Sequence, residues 1–397
     1  MTDPSTLIFF ITFVLAAVLG GVIAYSGFCT FGAVADWVSF SDKGRLGAWI
    51  LAIGVSITGV SILELNTLIS TTQSVFPYTS TMFNPMRFII GGLLFGFGMH
   101  LSGGCSSKAL VRLGSGNIQA LTVCCFAAIA SYLLVYTTLY ERFFHIPLSG
   151  FTLEFGDFGW SSQRLIDILN VDNPASLSKF LPILMGLTVS GYSLFLISKS
   201  AKNHLVLSGL TVGGIVVAAW YLTGGPLGVA WVEQMSFEWH PPRNLGTQSF
   251  TFVSPLADAV AVLANSEPQR SFTFGLISLA GIWFGSFAYH LVAKKLHLNP
   301  FRSVVDFARA CGAGILLGLG GVLAFGCSIG QGVTGISTLA IGSILATLSM
   351  CLGAALALKM EFYRMMYPGK ASWLAAFVAS LVDFHLLPKR LRKLDSI

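Results

Sequence analysis

Gly103-Gly104-Cys105-Ser106-Ser107 interrupts an apolar run long enough to cross a bilayer, and Gly326-Cys327-Ser328-Ile329-Gly330-Gln331-Gly332 does the same further along the chain. Glycines let the backbone leave a helix, and a serine beyond the cysteine can cap a new one. Lipid offers backbone groups no hydrogen-bond partner, so a helix broken at membrane depth must be buried in protein or line a cavity. Two such breaks, each with a thiol, point to a site inside a membrane protein and to transport as its use.

Composition agrees. The 397 residues are 54% hydrophobic and 10% charged, where soluble domains carry about 25% charged residues. Mean hydropathy is +0.76. The 43 glycines suit closely packed transmembrane helices. They have no collagen-like period. The net charge of +6 comes from Lys and Arg at the ends of apolar runs, which reads as topology signals and not as a nucleic-acid surface. The seven cysteines, at 29, 105, 124, 125, 311, 327 and 351, lie in or beside apolar segments and are expected to be free thiols. No basic stretch precedes the apolar run from Leu7, so the first span is expected to be retained and not cleaved as a signal peptide.

With about 20 apolar residues needed per span, the chain offers about nine: 7–26, 46–63, 86–102, 118–139, 180–198, 205–223, 272–293, 308–325 and 338–358. The fold expected is an all-α polytopic membrane protein, about nine transmembrane helices plus short re-entrant half-helices. The positive-inside rule places Lys199, Lys202, Lys294, Lys295, Arg302 and the tail Lys389, Arg390, Arg392, Lys393 in the cytoplasm. The N-terminus is then outside, and Asp42-Lys43-Gly44-Arg45 falls inside. The segment 369–385 is too interrupted to span and is read as interfacial or re-entrant.

An internal repeat runs through these spans. Tyr25 to Val34 aligns with Tyr221 to Ala230, with Gly225 where the first copy has Cys29. Gly96 to Ser106 aligns with Gly318 to Ser328, bringing Gly96, Gly98, Gly104, Cys105 and Ser106 into register with Gly318, Gly320, Gly326, Cys327 and Ser328. The Cys105 break follows an inward span and the Cys327 break an outward one, so the halves are inverted, an arrangement in which discontinuous helices share a midplane site. The chain accordingly divides into a first half-repeat (1–140), a connecting loop and fifth span (141–204), a second, inverted half-repeat (205–358) and an interfacial segment with a basic tail (359–397).

A helix starting near each cysteine turns unpaired N–H groups and a partial positive charge towards it, which favours an anion. Lys108 and Arg112 add positive field on one side, or snorkel to the interface. An anion beside a thiol disfavours the thiolate, so Cys29, Cys105 and Cys327 are expected to stay protonated and donate S–H, which suits a soft sulfur-bearing anion. Cys124, Cys125, Cys311 and Cys351 lie mid-helix without glycine breaks and read as small hydrophobes. Gln331 either donates its amide N–H to an anion or caps backbone carbonyls. His100 and Met99 near Cys105 leave a soft-metal site as a weaker alternative, and no cofactor is indicated. No carboxylate cluster marks a proton relay, since Glu64 and Asp36 lie at span ends and Asp306 in a loop. Nothing forms a nucleophile elbow, a Walker loop or a haem attachment sequence, so the chain is not read as an enzyme.

At Gly27-Phe28-Cys29, Gly103-Gly104-Cys105-Ser106-Ser107 and Gly326-Cys327-Ser328-Ile329-Gly330-Gln331-Gly332-Val333-Thr334-Gly335 the chain resembles the YeeE/YedE family of membrane transporters for sulfur compounds. The motifs occur in that family's order, and the duplication extends over most of the chain. The resemblance implies uptake of thiosulfate across the bacterial inner membrane, with Cys29, Cys105 and Cys327 passing the ion by S–H hydrogen bonds. It also implies a cytoplasmic sulfur-carrier protein as partner. Some relatives are associated with selenium or other sulfur species, and a membrane thiol module that hands sulfur to a carrier is a further alternative. Gly104, Ser106, Lys108, Gly326, Ser328 and Gln331 complete the expected path. Lys108 stands where the family motif usually has glycine, and the polar insertions 140–179 and 232–270 are long. Their Trp160, Trp231 and Trp239 are read as interfacial anchors, or as part of an outer cap.

Overall fold

The computed structural model describes residues 3–72, 74–75, 77–169, 177–200, 202–237, 244–264, 272–368, 372–388 and 390. In chain order its longer helices are α1 (Pro4–Ser26), α2 (Thr30–Phe40), α3 (Gly44–Leu65), α4 (Pro85–Ser102), α5 (Ser106–Gly114), α6 (Ile118–Tyr136), α7 (Leu177–Ser198), α8 (His204–Gly224) and α9 (Pro226–Ser236). They continue with α10 (Ser254–Leu263), α11 (Phe274–Val292), α12 (Val304–Leu323), α13 (Ile341–Met366) and α14 (Trp373–Asp383). Starts follow local chemistry. The side chains of Asn84, Asn117, Thr273 and Ser303 accept the backbone N–H of Arg87, Ala120, Leu276 and Asp306, satisfying groups that a helix N-terminus leaves unpaired.

Among the described residues nine segments are long and apolar enough to cross a membrane, and they coincide with the nine expected spans. Boundaries move by a few residues. Asp306, read as a loop residue, stands in the first turn of α12, where a carboxylate suits the helix dipole. The 369–385 region contains α14, whose 11 residues are too few to span. Phe10, Val14 and Val18 on α1, Leu184 and Leu187 on α7, and Leu348 on α13 are exposed, as lipid-facing side chains would be.

Glycines set the packing, because a missing side chain lets helix backbones approach where apolar contact alone gains little. In α1 and α11, Gly281 meets Phe13 and Gly285 meets Ala17; in α8 and α3, Gly209 meets Ala48 and Gly213 meets Ala52. In α4 and α13, Gly92 meets Ala346 and Gly96 meets Met350 and Ala354; in α12 and α6, Gly314 meets Val123 and Gly318 meets Ala127. All four pairs run parallel. The repeat relates α1 to α8 and α4 to α12, and it exchanges the α1/α11 pair with α8/α3 and the α4/α13 pair with α12/α6. Related helices occupy odd and even places among the nine spans, so the two halves are inverted. At the centre α4 and α12 run antiparallel, with Gly91 beside Gly320 and Gly98 beside Leu317.

The polar insertions are less peripheral than their composition suggests. Residues 244–253 run through the interior, with Phe250 and Phe252 fully buried. The Thr223 hydroxyl donates to the Gln248 carbonyl at 2.6 Å, and the Thr334 hydroxyl to the Phe250 carbonyl at 2.9 Å. Trp231 is buried against Phe9, with ring centroids 6.1 Å apart, and is not an interfacial anchor. Trp160 packs between Phe155 and Phe158. The first insertion does cover one end of the bundle: Met82–Phe83 pairs antiparallel with Leu153–Glu154, and Arg164 bonds Glu64 at 2.7 Å. Trp239 and residues 240–243, Asp172, Lys389, Arg392 and Lys393 lie outside the described residues.

Candidate functional site

The breaks share one local form. α1 closes on Gly27 with φ +66° and α4 on Gly103 with φ +69°, each left-handed and two residues before a cysteine. Cys29 and Cys105 then turn extended and stand as N-caps of α2 and α5. After α12 the same place is held by Phe325, φ +59°, and Cys327 precedes the turn Gly330–Gly335. At the fourth break Gly225 caps α9, with Pro226 as its first residue. Glycine adopts a positive φ freely, whereas phenylalanine pays roughly 1–2 kcal/mol there. The Phe325 ring is held by the Arg87 guanidinium, whose central carbon lies 3.3 Å from the ring centre, and by Phe88 at 5.9 Å.

The breaks bring three buried thiols into one series. Cys29 lies within electrostatic range of Cys105. A β-carbon on Gly104 would stand 3.8 Å from the Cys29 sulfur, so this glycine leaves the approach open. Cys105 contacts the Ser107 hydroxyl at 3.0 Å, and the buried Ser328 hydroxyl has no hydrogen-bond partner. Cys327 lies within electrostatic range of Cys105, and its sulfur accepts the Gly330 N–H at 3.3 Å. Each cysteine thus stands at the start of a helical segment, and the Cys327 sulfur accepts a backbone N–H there.

Polar atoms without partners gather around this series. Ser106 Oγ, Thr251 Oγ1, Gln331 Oε1, Trp49 Nε1 and Thr347 Oγ1 are buried and unpaired. Gly332 packs on Trp49 and Thr347, and Gly330 on Thr251. Buried polar groups are nearly always paired in folded proteins. A cluster of unpaired ones is therefore spare capacity for a small polar ligand. The Gln331 amide donates its N–H to the Ala324 carbonyl at 2.6 Å, the backbone-capping alternative, and Gly326 packs on the Gln331 side chain.

The cations divide. Arg112 turns back, its Nη1 donating to the Ser102 carbonyl at 2.7 Å, while the Ser102 hydroxyl bonds the Gly104 carbonyl at 2.5 Å. This clamps the chain immediately before Cys105. Lys108 lays its stem over Gly104, half-buried, with no carboxylate partner among the described residues. His100 is occupied by Glu361 at 2.9 Å. Among the described residues no three His, Cys, Asp or Glu side chains surround a common metal position.

Three features escaped the sequence reading. Arg87 was the only charge inside the third apolar run, a signal that was available. Tyr78 donates its hydroxyl to the Gly330 carbonyl at 2.9 Å, and burial pushes its hydroxyl well above the usual range of ionisation, so it remains a donor. The alternation Phe250-Thr251-Phe252, aromatic and small polar by turns, marks a buried segment whose Thr251 packs on Gly330, three residues beyond Cys327.

Two curated relatives are similar along most of their length. The thiosulfate transporter TsuA of Escherichia coli is 24% identical over 336 residues, which cover 81% of this chain and 85% of that protein. The thiosulfate transporter TsuA of Spirochaeta thermophila is 24% identical over 368 residues, covering 86% and 96%. The family model described as sulphur transport matches residues 25–356, a stretch that takes in all three cysteine breaks and most of both halves of the repeat. On that match the chain belongs to the sulphur transport family, the YeeE/YedE family that its cysteine motifs resemble.

Proposed function

We propose that this protein carries thiosulfate, or a related small sulfur-containing anion, inward across the bacterial inner membrane, as a transporter and not as an enzyme. The observation that carries the reading is the series of buried thiols, each at the start of a helical segment. The similarity to two thiosulfate transporters supports the choice of substrate. An anion leaving water for a low-dielectric interior loses several kcal/mol of hydration unless donors replace it. S–H groups and helix N-terminal N–H groups are such donors, individually weak, so the ion can be handed on and not trapped.

In this account the N-terminus is outside and the C-terminus cytoplasmic. The ion meets Cys327 with Ser328 and Gly326 first, then Cys105 with Gly104, Ser106 and Lys108, then Cys29. The first half-repeat (1–140) supplies the inner two thiols and the second (205–358) the outer one, so the path is asymmetric, with Gly225 as the thiol-free mirror of Cys29. Gln331 keeps the Cys327 turn in shape. A cytoplasmic sulfur-carrier protein would receive the ion on the Cys29 side, where the interfacial segment and basic tail (359–397) also lie.

Uptake of labelled thiosulfate into proteoliposomes, with selenite, sulfite and sulfate as competitors, tests the reading. Accumulation suppressed by unlabelled thiosulfate more than by sulfate is expected. Preference for selenite would reassign the substrate, and no uptake of any of these anions would overturn the proposal.

A further inference from the structure

Two cavities, of about 300 and about 230 Å³, adjoin the Cys327 break and share Pro77, Arg87, Tyr140 and Phe325 in their walls. The larger also reaches Gly326, the residue before Cys327. Arg87 sits on the third residue of α4 and faces inward, not to lipid. Its Nε and one Nη donate to the Leu323 and Val322 carbonyls at the end of α12, at 2.8 and 3.2 Å. Its face lies between the Phe325 and Tyr140 rings, 3.3 and 4.8 Å from their centres. No carboxylate pairs with it among the described residues. An ionisable side chain held inside a membrane protein without a counter-ion, lining a cavity, has positive charge left for a ligand.

We propose that Arg87 is the capture residue for a tetrahedral oxyanion entering from the Cys327 side, and that Phe325, in its left-handed conformation beneath the guanidinium, separates this waiting position from the thiols. Two edges of the guanidinium fork are fixed on backbone carbonyls, so the remaining N–H groups are oriented before the anion arrives. The planar fork matches two oxygens of one tetrahedral ion, which a lysine ammonium does not. The inference rests on the transport reading for its direction, but binding at Arg87 is measurable without transport.

Purified protein in detergent is heated with thiosulfate, sulfate or phosphate, and the same protein in proteoliposomes is assayed for thiosulfate uptake across a concentration series. For the wild type, at least one oxyanion is expected to raise the unfolding temperature. R87Q is expected to lose that response and to raise the half-saturating concentration about tenfold, with maximal rate held within about twofold. R87K, which keeps the charge and loses the fork, is expected between the two. It also serves as the test if R87Q does not fold: an unchanged half-saturating concentration in R87K would then overturn the assignment. Equal stabilisation of wild type and R87Q, no stabilisation of the wild type by any of the three anions, or a loss of maximal rate at unchanged half-saturation would each overturn it as well. Oxyanion stabilisation lost in R87Q, with no thiosulfate uptake by the wild type, would uphold the binding residue and remove only the transport reading.

Discussion

Cys29 and Cys105 stand where two half-helices begin, since each is the N-cap of its own helix and a β-carbon on Gly104, the residue before Cys105, would lie 3.8 Å from the Cys29 sulfur. Two positive helix ends therefore converge on one point, on residues that a chain without glycine breaks would leave mid-helix and apart.

That convergence depends on Gly104. A β-carbon there would stand 2.9 Å from Lys108 Cγ and within contact of the Cys29 sulfur. Gly104→Ala is expected to displace the Lys108 stem and narrow the space between the thiols. Thiosulfate uptake should fall while the unfolding temperature changes little; wild-type uptake would show that the gap is not used.

Phe325 occupies a left-handed position that Gly27 and Gly103 hold at the two other cysteine breaks. Phe325→Gly and Phe325→Ala both lose the ring contacts with Arg87 and Phe88, but only glycine is relieved of the backbone strain. The glycine variant should be more stable than the alanine variant by about 1 kcal/mol, measured as unfolding in detergent. The reverse order would mean that the strain is not present in solution.

Helix approach at Gly314 leaves no room for a side chain, since a β-carbon would lie 2.6 Å from the Val123 carbonyl oxygen. Gly314→Leu should force α12 from α6 and destabilise the protein by about 1–3 kcal/mol or prevent its folding. Gly312, with open space around it, is the control, and Gly312→Ala should be tolerated.

Asp42 joins the end of α2 to the turn between α7 and α8. It accepts from Lys202 at 2.8 Å, from the Gly44 N–H at 2.8 Å and from Ser200 at 3.0 Å. Lys202 and these donors hold its carboxyl at about 2, below the ordinary 3.8. The folded state therefore binds that proton less readily than the unfolded state. The resulting stability is fully present above about pH 4 and lost as the pH falls towards 2. Both partners are partly exposed, so solvent screening reduces the gain, and Asp42→Asn should cost about 0.5 kcal/mol near neutral pH. The difference between wild type and variant should shrink from pH 5 to pH 2; a constant difference would contradict the ion pair.

The nine spans were legible because lipid demands long apolar runs, and the inverted halves because the glycine-cysteine blocks recur at matching places. The closeness of the thiols was not. Cys105 and Cys327 follow helices that run antiparallel, and only the return of the chain after each break brings the two thiols within electrostatic range. The interior segment 244–253 was hidden by its polarity: Thr251, Gln248 and Ser249 look solvated in sequence, yet they satisfy or await hydrogen bonds inside the protein. Trp231 misled for a related reason, since tryptophan is common at membrane interfaces but here fills a gap against Phe9.

The central claim is that the ion passes along the three thiols. Labelled thiosulfate uptake by proteoliposomes carrying Cys29→Ala, Cys105→Ala or Cys327→Ala, beside Cys311→Ala as a control on the same protein, measures it directly. The account predicts that each of the first three loses most of its uptake, at least about tenfold, while remaining folded, and that Cys311→Ala transports as the wild type does. Wild-type uptake in the folded Cys105→Ala protein would contradict it.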